Sequence, residues 1–175
     1  MTRVLQLAYR TRFPRRAAQL GPLDESLTRM RVQVTDLDLY RHVNNGVYLQ
    51  MMDVARSNLI ADTGIARALA ERGWYPVVAA STTTYRRSLT LGQRFEIRSR
   101  VLGWDDRCVY LEQAFFRADE PVTRSIVAAR FLSRRGERIH PGEIFALTGH
   151  ATDSPPLPDD VAAWARAFDI AHRPR

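Results

Sequence analysis

The chain has 175 residues, 45% hydrophobic and 26% charged, which suits one globular domain with short tails. Its 26 basic residues outnumber 19 acidic ones for a net charge of +7, and all 26 are arginine, which excludes Schiff-base, pyridoxal-anchoring and Walker- or kinase-type lysine chemistry. The single cysteine cannot close an internal disulfide and points to a reducing cytoplasm, and no apolar run approaches the ~18–20 residues of a membrane-spanning helix.

Residues 1–26 form a basic arm: five arginines and no acid fall within residues 1–23, interleaved with Val4, Leu5, Leu7, Ala8, Tyr9 and Phe13. Arg10, Arg12, Arg15 and Arg16 interrupt any secretory apolar core, so the arm is expected to pack on the domain, with residues 1–20 amphipathic enough to touch a membrane surface weakly. Gly21-Pro22 punctuates its end. From Leu27 onward Met30, Val32 and Val34 alternate with Arg29, Arg31 and Gln33, the period of a strand. The core is therefore expected to begin near Leu27 and to stand without residues 1–20. Asp36 to Asn45 is polar and turn-like. A helix over Gly46–Ala61 follows, capped by Asn44 or Asn45 and apolar nearly all round at its start, which predicts burial. A shorter helix over Ile65–Arg72 stops at Gly73.

Four long strands then run in series, Val77–Arg87, Gln93–Gly103, Arg107–Arg117 and Val122–Ser133, separated by turns at Leu91-Gly92, Trp104-Asp105-Asp106 and Asp119-Glu120-Pro121. Links this short predict antiparallel neighbours. The expected fold is α+β: a long antiparallel sheet wrapped around one central helix in residues 27–150. Residues 151–175 read as a linker and a last helix over Asp159–Ile170.

Chemistry is first sought by elimination. There is no G-x-S-x-G, H-E-x-x-H, C-x-x-C or strand-following G-x-G-x-x-G, and the histidines at 42, 140, 150 and 172 are too scattered to predict a metal site. Cys108 sits inside a strand pattern and reads as a buried small hydrophobe. The positive charge lacks a helix-turn-helix, RNP or zinc-ligand pattern, so no nucleic acid is expected. One stretch stands apart, Thr35-Asp36-Leu37-Asp38-Leu39-Tyr40-Arg41-His42-Val43-Asn44-Asn45-Gly46-Val47-Tyr48, at the start of the most apolar helix. Part of it can be plain loop capping, with Asp36 and Asn44 satisfying backbone groups. A helix N-terminus can also polarise a carbonyl oxygen while a carboxylate attacks the carbonyl or deprotonates a water.

The run Asp38-x-x-x-His42-Val43-Asn44-Asn45-x-x-Tyr48, ahead of a buried helix and a strand series, resembles the hotdog-fold thioesterases, both the 4-hydroxybenzoyl-CoA thioesterase-like group and the acyl-ACP thioesterases. Segments Ala80–Leu89 and Val101–Glu112 resemble strands of that group, so the likeness covers roughly Leu27 to Ser133. The resemblance implies hydrolysis of an acyl thioester of coenzyme A or acyl carrier protein, with no metal and no cofactor beyond the substrate's own coenzyme A. It implies Asp38 as nucleophile or general base and His42 as an orienting or polarising group. It further implies Asn44, Asn45 and the N–H groups near Gly46 and Val47 on the oxyanion side, and Tyr48 as pocket lining or helix packing. Arg86 and Arg87 fall where relatives bring basic residues to the coenzyme A phosphates, and a homodimer or dimer of dimers is implied because the family's site lies between protomers. One position departs from the acyl-ACP thioesterase pattern: Tyr40 stands two residues after Asp38, where that group carries asparagine. Two alternatives remain open. One is a hotdog hydratase or dehydratase, against which Tyr40 and the spacing of His42 count. The other is a non-catalytic acyl-CoA binder.

Overall fold

The structure, a computed structural model, describes residues 2–13, 15, 18–149 and 153–170. Its centre is a long helix, α2 (Asn45–Asp62), in which Tyr48, Met51, Met52, Val54, Ala55, Asn58, Leu59 and Ala61 are all buried. A helix apolar nearly all round must be enclosed, and a sheet curls about it. In the described residues the strands are β1 (Ser26–Arg31), β2 (Trp74–Tyr85), β3 (Arg94–Trp104), β4 (Val109–Arg117), β5 (Glu120–Ser133) and the short β6 (Arg138–Ile139). All pair antiparallel in the order β1-β3-β4-β5-β2, with β6 beside the end of β5. The expected α+β architecture is present.

The core divides over the two faces of the sheet. On the inner face, Met51, Met52, Val54 and Ala55 of α2 pack against Met30, Phe95, Ile97, Phe115 and Val122. A second inner cluster joins Leu59 to Val109, Leu111, Val127 and Phe131 and to two short helices, α3 (Ala66–Arg72) and α4 (Pro141–Ala146). On the outer face, helix α5 (Asp159–Ala167) lays Val161 and Ala165 over Cys108, Tyr110, Ile126 and Ala128. Cys108 is fully buried, as the strand pattern predicts, and burial pushes its thiol pKa up. The segment leading to α5 crosses β3 at Gly103, where an added Cβ would lie 2.8 Å from the Pro155 carbonyl oxygen, so only glycine fits. Polar groups pin the central helix: fully buried Gln113 on β4 donates to the Met52 carbonyl and Ser99 Oγ, both at 3.1 Å, and accepts from Arg56 at 2.6 Å.

Three expectations change. The Leu91-Gly92 turn does not make β2 and β3 neighbours. The link between them instead runs along the loop before α2, where Val43 N–H donates to the Leu89 carbonyl and Thr90 bridges His42. β2 therefore pairs with β5 and β3 with β1. Helix α4, capped by His140 through its Nδ1 and by Glu143, lies in a stretch for which no element was expected. Lastly, the basic arm is a helix, α1 (Arg3–Arg12), and it is tied into the core. Arg3 is 3% exposed and meets the 1%-exposed Asp36 through Nε at 3.0 Å and Nη2 at 2.7 Å. Arg15 likewise pairs with buried Asp62, which also accepts from Ser26 Oγ. Residues 1–20 thus supply partners to two buried carboxylates, Asp36 and Asp62, contacts that the expectation of a self-sufficient core did not include.

Breaking a buried pair from one side leaves an uncompensated charge and costs about 3–5 kcal/mol. Arg3→Ala is therefore expected to lower the urea unfolding free energy by about that amount, whereas Arg12→Ala on the exposed side of the same helix should change it by less than about 0.5 kcal/mol. Equal stability of the two variants would contradict the role given to Arg3.

Candidate active site

The loop between β1 and α2 carries two acids with opposite fates. Asp36, at the end of a short 3-10 turn over Val34–Asp36, spends its carboxylate on Arg3 and on the Gln33 N–H at 2.7 Å, and its carbonyl accepts the Asn44 N–H at 2.9 Å. Asp38 sits two residues on, half-buried. Its Oδ1 accepts the backbone N–H groups of Tyr40 at 2.9 Å and His42 at 3.2 Å, and its own N–H and carbonyl close the turn with His42 and Arg41. Arg41 takes a left-handed φ of 62° to complete that turn. Oδ2 of Asp38 has no hydrogen-bond partner among the described residues.

A cavity of about 400 Å³ opens beside it, lined by Asp38, His42, Val43, Asn45, Tyr48, Tyr85, Arg86, Arg87 and Ser88. Six of the nine site residues named from the sequence meet there. The helix start supplies one wall. Asn44 caps α2 by accepting the Gly46 N–H through its Oδ1 at 2.8 Å, and the Val47 N–H goes to the Asn44 carbonyl at 2.9 Å. Those two N–H groups are occupied, and Asn44, Gly46 and Val47 do not line the cavity. Asn45 does, and its backbone N–H, first in the helix, has no partner among the described residues, so it carries the positive end of the helix dipole into the site.

Tyr48 forms the floor. It is 2% exposed, packs edge-on against Tyr85 and Phe115 with ring centroids 5.3 Å apart in each case, and its hydroxyl accepts the Leu89 N–H at 3.3 Å. Burial pushes the phenols of Tyr48 and Tyr85 above their ordinary pKa, so both stay neutral donors. Of the two arginines, Arg87 is paired with Glu120 at 2.6 Å, whereas Arg86 has no ion-pair partner among the described residues and is the free cation at the mouth. Tyr40 points away: it is 81% exposed, as is Leu39 beside it at 99%, and neither lines the cavity. His150 and His172 lie outside the described residues.

Sequence reasoning missed Tyr85 and Ser88, although both belong to the Ala80–Leu89 segment and flank Arg86-Arg87. It also missed a second cavity of about 640 Å³ between α2, α3 and the inner face of the sheet. Its apolar walls include Leu59, Ile60, Leu69, Trp74, Val101, Leu111 and Phe131, with Asp53 and Arg56 at its polar side. No local motif announces such a space, because its walls come from segments far apart in the chain.

A family model for the thioesterase-like superfamily matches residues 32–165. The chain is 34% identical over 145 residues to Protein THEM6 of Danio rerio, a match spanning 82% of this chain and 70% of that protein. It is 32% identical over 136 residues to Protein THEM6 of Xenopus laevis, spanning 77% of this chain and 64% of that protein. The chain thus spans about two thirds of the length of these relatives. Among solved structures, the DHNA-CoA thioesterase of Staphylococcus aureus superposes with a TM-score of 0.63 at 15% identity, over 83% of this chain and 92% of that one, a likeness of fold.

Proposed function

The chain belongs to the thioesterase-like superfamily and has its hotdog fold, and from that premise we propose that it hydrolyses an acyl thioester of coenzyme A, with acyl carrier protein as the alternative thiol carrier. The observation that carries the proposal is the convergence of Asp38, His42, Asn45, Tyr48, Arg86 and Arg87 on one cavity at the start of the buried helix. The resemblance to a CoA thioesterase of Staphylococcus aureus supports the choice of carrier.

In this reading the thioester carbonyl oxygen points at the Asn45 N–H and the start of α2, where oriented donors favour the developing oxyanion. Oδ2 of Asp38 takes the proton of a water as its oxygen bonds to the carbonyl carbon. The tetrahedral species then collapses, the C–S bond breaks, and the thiolate recovers the proton. The same oxygen can instead bond to the carbonyl carbon itself, releasing the thiolate and leaving a mixed anhydride that water hydrolyses. His42 beside the carboxylate orients the carbonyl, and Arg86 meets the phosphates of coenzyme A.

We extend the proposal to a homodimer formed along β2. The twelve residues of this strand, Trp74–Tyr85, carry no charge, and Tyr75, Val78 and Tyr85 are exposed on it. Among the described residues β2 pairs only with β5, which leaves its other edge open. An open, uncharged edge is a template for another strand. Antiparallel pairing of two copies there sets the Tyr85 end of one β2 beside the Trp74 end of the other. The carboxylate cavity of one protomer then faces the large apolar cavity of its partner, which is suited to the acyl group.

The test for catalysis is thiol release over short, long and aromatic acyl-CoAs. Asn at position 38 retains the Oδ1 that holds the turn, so Asp38→Asn should fold and bind ligand while its chemical step slows at least ~10²-fold, and further if Asp38 is the nucleophile. Hydrolysis at the parental rate would remove Asp38 from the mechanism and leave a binding protein. For assembly, light scattering at micromolar concentration should show a multiple of the 20.0 kDa chain mass; a clean monomer would contradict the shared site.

A further inference from the structure

Helix α1 is built inside out. In an ordinary surface helix the apolar stripe faces the core and the charges face water. Here the buried residue is Arg3, held by Asp36 and by the Arg31 carbonyl at 2.7 Å, while Val4, Leu5, Tyr9 and Phe13 stand 59%, 57%, 55% and 56% exposed. Positions 4, 5, 8, 9 and 12 share one side of a 3.6-residue helix, so Val4, Leu5, Ala8 and Tyr9 make an apolar stripe that the Phe13 cap extends and that Arg12 borders at its C-terminal end. The stripe is ordered: the Tyr9 and Phe13 rings lie 5.4 Å apart. Nothing in the described chain covers it. Along this segment the charge has one sign, since no acid occurs in residues 1–23. Arg3 and Arg15 are engaged internally, but Arg10 and Arg12 have no acidic partner among the described residues. The Arg12 guanidinium rests 5.2 Å over the Phe13 ring at the rim of the stripe.

We propose that α1 is a docking surface for an anionic lipid bilayer, its Val4-Leu5-Ala8-Tyr9-Phe13 stripe entering the headgroup boundary and the exposed Arg12 beside it meeting lipid phosphates. A short helix with aliphatic and aromatic residues on one side and arginines at its flank is the form that lies in a membrane interface. A second copy of the chain fits poorly. A stripe of one ten-residue helix falls well short of the ~800 Å² per partner that stable interfaces bury. An anionic surface satisfies the stripe and Arg12 together. The opposite side of α1 contributes Leu7, Arg10 and Thr11 to the wall of the large apolar cavity, so docking would hold that cavity beside the bilayer. The docking itself does not depend on the thioesterase reading.

The test is sedimentation of the full chain with vesicles of phosphatidylcholine alone or mixed with phosphatidylglycerol. The chain is expected to pellet with the mixed vesicles, to stay in the supernatant with neutral ones, and to be released by raised salt. Leu5→Ser/Tyr9→Ser alters only exposed stripe residues and should lower vesicle partitioning at least roughly tenfold while leaving the thermal midpoint and the hydrolysis of a short, water-soluble acyl-CoA unchanged. Arg12→Glu should weaken binding to anionic vesicles severalfold by reversing a charge. Parental binding by the double variant, or no pelleting of the parent, would overturn the proposal. So would a drop in oligomeric state of the double variant in buffer, because the stripe would then belong to a contact between copies.

Discussion

Much of the molecule hangs on the carboxylate of Asp36. It receives the Arg3 guanidinium from α1 and the Gln33 N–H from the segment just after β1, and the same residue's carbonyl receives the Asn44 N–H at the start of α2. One buried residue thereby fixes three elements relative to one another. Burying a charge is tolerable only when it is paired and hydrogen-bonded, and every partner here is supplied. The consequence for function is positional. The turn that presents Asp38 and the cap that presents Asn45 are both anchored within a few residues of this node, so the groups proposed for chemistry rest on a rigid support.

That arrangement divides labour between two acids separated by one leucine. Asp36 is closed off, with its oxygens spent on structure. Asp38 gives one oxygen to the turn and keeps the other for the cavity. The cavity lies where the helix start meets the end of β2, which with β1 is one of the two edge strands of the sheet among the described residues. In the proposal a second copy of the chain joins that uncharged edge beside the cavity, which is why the homodimer enters it. The large apolar cavity lies toward the other end of the same strand, and α1 closes part of it while turning its own apolar side outward.

The legible parts of the fold are those governed by local chemistry. The central helix was readable because its apolar residues run on past any one face, and its Asn44 cap is a short-range signal. Gly73 ends α3 in the left-handed conformation, φ 67°, that a glycine there announces. The strands from β3 to β5 follow from tight links that leave no room for a crossover. The β2–β3 link looked like another such turn because Gly92 does take a left-handed φ of 77°. It fails as a hairpin because Leu89 and Thr90 are already bonded to the loop before α2, a tertiary constraint that no turn signal reveals. α4 was hidden by the polar run before it, although His140 and Pro141 mark its start. The arm's apolar residues were seen, but not that Arg3 would be the side chain turned inward. For the site, Asp38, His42, Asn45 and Tyr48 share a short segment, and Arg86-Arg87 follow a strand of recognisable pattern, so they could be named in advance. The Asn44 cap was legible too, but not that its Oδ1 would take the Gly46 N–H and its carbonyl the Val47 N–H while the Asn45 N–H stays toward the cavity.

The central claim is that Asp36 builds the site and Asp38 works in it. The most direct measurement is a paired one: urea unfolding and initial acyl-CoA hydrolysis rate for Asp36→Asn and Asp38→Asn, each at a temperature where both remain folded. The account predicts that Asp36→Asn, which leaves Arg3 buried without its countercharge, loses about 3–5 kcal/mol of stability yet keeps most turnover in its folded fraction. Asp38→Asn should keep its stability and lose turnover. If the two substitutions exchanged these effects, or if both abolished turnover with stability intact, the division between a structural and a reactive carboxylate would be contradicted.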